Sequence, residues 1–251
     1  MSMDMQGVTA LPDYTYVDSE KVNYERGRRL TAEDANAIIR GSVESGDDEC
    51  LVNDSHSKIN NLIAEELHER AELITGGVKA YSMVEGLDSS FIGAFFAGYH
   101  ARAGQKGVTA HSMIFAVRTM WINRVEIGEI GFNAYVAGYY GVPVLLMAGN
   151  DCACREAEAL IPNITTAAVK KSLSRSAVRT MHPEKAQRYL HEQIMQAIEN
   201  KGNVKPLRPS EKPLLKIEFT HYRQAELAAM LPGCELEEGT TIVHFQAKDI
   251  L

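Results

Sequence analysis

Apolar and polar positions change rhythm several times along this chain, and each change marks an element. Glu49-Cys50-Leu51-Val52-Asn53 reads as a short strand and Leu73 as the centre of another. Ala94-Phe95-Phe96-Ala97-Gly98-Tyr99 reads as a long strand that ends at His100. The run Val142-Pro143-Val144-Leu145-Leu146-Met147-Ala148 is apolar throughout, the pattern of a strand buried on both faces. Helical spacing fills the gaps. Thr31 is placed as an N-cap with an acid three residues on, opening a helix through Ala35, Ile38 and Ile39 to a stop at Gly46. Residues 60–69 and 130–140 read as helices, 120–127 as a hairpin turning at Asn123-Arg124, and Asp151 as the cap of a helix containing Glu156.

Strands alternating with helices predict βαβ units, hence an α/β fold with a mostly parallel sheet flanked by helices. After Pro162 the character changes. A strand at 164–169 precedes a helix at 183–200 that opens on Pro183. A loop at 202–213 then carries Pro206, Pro209 and Pro213, and strands at 214–220 and 240–247 flank a helix at 222–231. The expected organisation is a catalytic α/β domain over 1–162 and a second, smaller α+β domain over 163–251. Only Met1-Ser2-Met3 precedes Asp4, fewer than the about five residues usual for a strand. Lys248-Asp249-Ile250-Leu251 reads as the start of a helix that stops, so the chain is read as a truncated form.

Composition narrows the partners. The 251 residues are 45% hydrophobic and 24% charged with a net charge of -7, which argues against a nucleic-acid surface. Arg28-Arg29 and Lys170-Lys171 are the close basic pairs, both placed on solvated helix faces. Four cysteines are too few for a disulfide scaffold at this length. With no membrane-length apolar run and no leader pattern, the chain reads as cytoplasmic.

Five good metal donors stand far apart in sequence: Asp4, His56, His100, His111 and Glu129. Most follow an apolar run, where the carboxyl ends of strands in an open α/β sheet gather catalytic groups. These residue types suit zinc, so a metal-dependent hydrolase is the function to test. Each residue also has a plainer reading: a turn cap for Asp4, a polar loop for His56, a rim histidine for His100, and a dipole-complementing acid for Glu129. His111 follows a loop with Gly104 and Gly107, a setting suited to acid/base or oxyanion work. Ser112 beside it suggests a Ser–His pair, a geometry that chain neighbours rarely form. His68, His182, His191, His221 and His244 are assigned to surface or structural positions.

Several segments together carry a resemblance. They are Ser2-Met3-Asp4-Met5-Gln6-Gly7, Asn23-Tyr24-Glu25-Arg26-Gly27-Arg28, Val52-Asn53-Asp54-Ser55-His56-Ser57-Lys58 and Gly98-Tyr99-His100-Ala101-Arg102-Ala103. To these are added His111-Ser112-Met113-Ile114-Phe115, Gly128-Glu129-Ile130-Gly131-Phe132-Asn133-Ala134-Tyr135 and Phe245-Gln246-Ala247-Lys248-Asp249. In this order and at these separations the chain resembles the D-aminopeptidase family, peptidase family M55, over nearly its whole length. The resemblance implies two zinc ions held by Asp4, His56, His100 and Glu129 with a further acid two residues after Asp4, Asp4 bridging the ions. It implies His111 as the catalytic residue, short peptides with an N-terminal D-amino acid such as D-Ala-D-Ala as substrates, and a ring-shaped homodecamer. One position departs: where the family has glutamate, this chain has Gln6, of the same shape but uncharged. The second zinc site is therefore expected to be the weaker one. The alternative reading is a homologue that binds peptide or metal and has lost hydrolysis through Gln6.

Overall fold

The computed structural model describes residues 1–46, 49–208 and 212–251. In chain order the first strands are β1 (Ser2–Met3), β2 (Cys50–Asp54), β3 (Ala71–Ile74), β4 (Ala94–Tyr99), β5 (Val117–Ile122) and β6 (Val125–Ile127). They are followed by β7 (Val144–Asn150), β8 (Thr165–Ser174), β9 (Ala177–Thr180), β10 (Leu214–Phe219), β11 (Cys234–Leu236) and β12 (Ile242–Gln246). The helices are α1 (Tyr24–Glu44), α2 (Glu129–Tyr139), α3 (Asp151–Leu160), α4 (Pro183–Glu199) and α5 (Tyr222–Ala229).

Seven strands form one sheet in the order β3-β2-β1-β4-β7-β8-β9. All its pairings are parallel except the closing β8–β9 hairpin. Every residue of β4 and β7 is buried. Side chains of a strand alternate between faces, so both faces of this sheet are covered, which is why these strands are apolar without interruption. The cover comes from two helix pairs, α1 with α4 and α2 with α3. Phe96, Ile38, Leu146 and Ile194 sit in the resulting core at 0% exposure.

The chain leaves β1 on one side to make β2 and β3, then returns on the other side with β4, β7 and β8. The order therefore reverses between β1 and β4, the place where α/β sheets open a crevice at their carboxyl ends. Two glycines close this point tightly. A Cβ on Gly7 would lie 2.0 Å from the Tyr99 carbonyl oxygen, and one on Gly98, which has φ +70°, would meet the Asp4 carbonyl oxygen at 1.9 Å. Only glycine lets the turn after β1 press its backbone onto the end of β4.

A second, antiparallel sheet has the order β11-β12-β10-β5-β6 and packs against α5. The expected division at 162/163 does not follow the sheets. β5 and β6, from before that point, pair into the second sheet, while β8, β9 and α4, from after it, complete the first. Periodicity identifies a strand but not its partner, so a boundary drawn from a change in rhythm misses such crossings.

Other expectations shift locally. α1 begins at Tyr24, and the Thr31 hydroxyl donates to the Gly27 carbonyl inside the helix instead of capping it. Residues 60–69 hold only a 3-10 turn at Ala64–Glu66. Asn150, not Asp151, caps α3, accepting from the N–H groups of Cys152 and Ala153. Residues 248–251 form no helix. Within the 202–213 loop, Pro209 lies outside the described residues. Lys170 is not on a solvated helix face: it sits in β8 at 2% exposure.

Candidate metal centre

Each strand that ends at the crevice delivers one donor. Asp4 follows β1, His56 follows β2, and His100 follows β4, so the parallel register of these three strands brings the residues together. Glu129 arrives on the first turn of α2, and His111 on the loop before β5. All five lie on one cavity of about 130 Å³, together with Gln6. Asp4, Gln6, His56, His100 and Glu129 are each 5% exposed or less.

The three imidazoles are oriented from behind by backbone carbonyls. His56 Nε2–H donates to Val17 O at 2.7 Å, His100 Nδ1–H to Ala101 O at 2.9 Å, and His111 Nδ1–H to Thr109 O at 3.0 Å. Those contacts fix the orientation of each ring and turn its other nitrogen toward the carboxylates. His56 Nδ1 is 3.0 Å from Asp4 Oδ1. His100 Nε2 is 3.5 Å from Asp4 Oδ2 and 3.3 Å from Glu129 Oε2, with the geometry of a hydrogen bond to neither. His111 Nε2 is 3.7 Å from Glu129 Oε1, and its ring stacks on that of His100 at 4.0 Å.

Ring nitrogens facing carboxylates in a buried cavity make a site for a cation, either protons on the histidines or a metal ion in their place. Burial lowers the pKa of His100, yet the charges of Glu129 and Asp4 outweigh it and raise the value above that of a free imidazole. Glu129 moves the other way: burial raises its pKa, and the facing His100 brings it down. His56 follows His100, its burial offset by Asp4. His111 differs. Burial first, and then the charge of His100, hold it down to about 4, so it stays neutral. With those protons displaced by a metal, the imidazoles and carboxylates would be a donor set that suits zinc, and a buried His100 Nε2 with no hydrogen-bond partner fits a metal ligand.

Gln6 also belongs to the cluster. With the amide oriented to satisfy both its ends, its nitrogen lies 2.9 Å from Asp4 Oδ2 and 2.9 Å from His56 Nδ1. An amide can present either end, N–H to a carboxylate or carbonyl oxygen to a cation.

Around these donors the backbone is strained. Ser57, Ile59, Ser82 and Met113 line the cavity in left-handed conformations, with φ of 48°, 59°, 48° and 59°. Side chains at such angles persist where surrounding contacts over-determine them, commonly at ligand sites. Asp54 supports the His56 loop from below, accepting from the backbone N–H groups of Asn61 and Leu62. Sequence reasoning missed Asp54, Ser55, Asp34 and Lys170, which support or line the site. Asp54 and Ser55 stand directly beside His56 and could have been found there; the local pattern reads Asp34 as the acid of a helix cap and Lys170 as half of a solvated basic pair, and marks neither as a partner of the 4–11 loop. Ser112 does not pair with His111: its hydroxyl accepts from the Ala103 N–H.

Fold and donor set define an α/β protein with a candidate divalent-metal centre at the switch point of its parallel sheet. The comparisons with known proteins agree. The chain belongs to the D-aminopeptidase family, peptidase family M55, whose model matches residues 1–251. It is 59% identical to a D-aminopeptidase of Bacillus subtilis (strain 168), an alignment covering 100% of this chain and 92% of the relative. Among solved structures it resembles the Zn-dependent D-aminopeptidase DppA from Bacillus subtilis, described as a self-compartmentalizing protease. That match has a TM-score of 0.99 and 58% identity, over 100% of this chain and 91% of the other.

Proposed function

We propose that this protein is a zinc-dependent D-aminopeptidase that hydrolyses short peptides with an N-terminal D-amino acid, of the D-Ala-D-Ala type. The observation that carries the reading is His100 Nε2, buried, without a hydrogen-bond partner, and turned toward both Asp4 and Glu129. Two zinc ions are assigned to Asp4, Gln6, His56, His100 and Glu129. Asp4 would be shared between the two sets of donors, since its Oδ1 faces His56 and its Oδ2 faces His100. Bound zinc supplies Lewis acidity toward a scissile carbonyl and lowers the pKa of water to about 7.

The protein's own groups do the rest. His111, neutral and with its Nδ1–H held by Thr109 O, offers Nε2 as the proton carrier at the edge of the cluster. Glu129 holds the loop of His111 in place, since its Oε1 accepts from the Met113 N–H at 2.7 Å. The cavity of about 130 Å³ is of a size to take the end of a short peptide. The high identity to a D-aminopeptidase over the full chain favours the enzyme over a homologue that only binds.

Self-association into a homodecamer is part of the proposal, supported by the self-compartmentalizing relative. So is a cytoplasmic location, supported by four free thiols. Among the described residues no helix is long and apolar enough to cross a membrane.

Metal analysis paired with turnover tests the function. Chelator-treated protein should lose hydrolysis of D-Ala-D-Ala and regain it with zinc, while L-Ala-L-Ala is cleaved more slowly. Turnover that survives complete metal removal would overturn the assignment.

A further inference from the structure

The 4–11 loop that carries Asp4 and Gln6 is gripped from a distant part of the chain. Lys170 of β8, 2% exposed, donates to the backbone carbonyls of Gln6, Val8 and Leu11, each at 2.7 Å. Burial brings the Lys170 pKa down to about 7 against the opposing charges of Asp34 and Asp4, and as an ammonium the group uses all three of its N–H bonds on these carbonyls. From the other side Asp34 of α1, 4% exposed, accepts from the Thr9 N–H at 2.9 Å. The near end of the loop is tied to β4 by bonds from Asp4 N to Ala97 O at 2.8 Å and from Gly7 N to Gly98 O at 2.6 Å. Beyond Gly7 that tie ends. Val8 and Leu11 make backbone N–H bonds only within the loop, and the Ala10 N–H donates to Thr180 Oγ1 at 3.0 Å, so Lys170, Asp34 and Thr180 together fix its second half.

Lysine is almost never fully buried unless paired, and here its partners are three carbonyls that would otherwise lose their donor. What the amino group adds is geometry. One nitrogen gathers three carbonyls, spaced over six residues, to a single centre in the turn that follows Asp4 and Gln6.

We propose that Lys170 is a positioning residue for the metal centre: it gathers the carbonyls of Gln6, Val8 and Leu11 and so holds Asp4 and Gln6 in ligating position before metal arrives. This rests on the reading of Asp4 and Gln6 as zinc ligands. Removing an outer partner of a metal ligand costs about 10–100-fold in metal affinity.

The test uses full-length protein stripped of metal by chelator and titrated with zinc. Lys170→Met keeps the length of the side chain and removes all three donors. It should weaken zinc binding by about 10–100-fold, with kcat recovering toward the wild-type value as zinc is raised. Leu190→Ala, in the α4 core at 1% exposure, is the control for lost stability and should keep the wild-type zinc Kd. Should Lys170→Met not fold, hydrogen exchange on the zinc-free wild type decides: the amides of Gly7, Val8 and Thr9 should already be protected. A folded Lys170→Met protein with wild-type zinc affinity overturns the proposal. So does an equal loss of zinc affinity in Leu190→Ala, or free exchange of those amides until zinc is added. Wild-type protein that binds no zinc would instead overturn the ligand assignment beneath it.

Discussion

Replacing Gly7 by alanine tests how the centre is assembled. A Cβ there lies 2.0 Å from the Tyr99 carbonyl oxygen, whereas real Cβ atoms essentially never come within 3.0 Å of such an atom. Both sides of this contact are backbone in the core, so neither can rotate away. The turn after β1 and the end of β4 must separate by about 1 Å. Overpacking of this kind costs about 1–3 kcal/mol, and the Gly7 N–H bond to Gly98 O contributes about 1 kcal/mol more. At this chain length each kcal/mol lowers Tm by about 2–4 °C, so calorimetry on metal-free protein should show a fall of about 4–16 °C. The same movement carries Asp4 away from His100, now 3.5 Å apart. A displacement of about 1 Å at reacting groups costs about 10²-fold in rate. Zinc titration and turnover of D-Ala-D-Ala should therefore both fall. Wild-type Tm in Gly7→Ala would refute the packing argument. A lowered Tm with wild-type zinc affinity and rate would refute the claim that this contact sets the ligand geometry.

Three further outcomes are expected. His111→Ala should retain its zinc, measured by metal analysis, and lose about 10²–10⁴-fold in kcat; loss of zinc would make His111 a ligand, as its proximity to His100 and Glu129 within 4.8 Å also allows. Gln6→Glu places a carboxylate beside the cation site and should raise zinc affinity and activity at limiting zinc, with the gain shrinking in excess; an unchanged zinc titration would show that residue 6 is not a ligand. Asp34 is pushed up to about 6, first by burial, with the Thr9 N–H and then Lys170 opposing. Its folded carboxyl therefore holds a proton more tightly than the unfolded one, so its contribution is greatest below pH ~4 and is lost as pH rises to ~6. The loss is on the order of 2–3 kcal/mol, and Asp34→Asn should flatten metal-free stability over that window in denaturant titrations; a slope identical to wild type would contradict it.

The linear pattern already contained the proposed donors and most of the elements. β4 and β7 were legible because a strand covered on both faces must be apolar throughout, and His100 was legible as the first polar residue after such a run. The order and spacing of Asp4, His56, His100, His111 and Glu129 carried the family likeness. Other features were set by partners that a local pattern does not encode. Thr31 has the composition of a cap, yet the helix starts at Tyr24. Residues 60–69 have helical spacing, yet the N–H groups of Asn61 and Leu62 go to Asp54 in place of a helix ladder.

Strand pairing was the larger unknown. β5 and β6 cross to the second sheet, and β8 returns to the first, because a strand's neighbour is chosen by which edge is free once the chain has folded back. That choice turns Lys170 from one half of an apparently solvated basic pair into the buried cation beneath the loop of Asp4 and Gln6. Residue chemistry and its spacing along the chain thus determined which side chains meet at the proposed centre. Tertiary structure alone decided what holds it in shape, because hydrogen-bond acceptors more than 150 residues away leave no trace in the local alternation of polar and apolar positions.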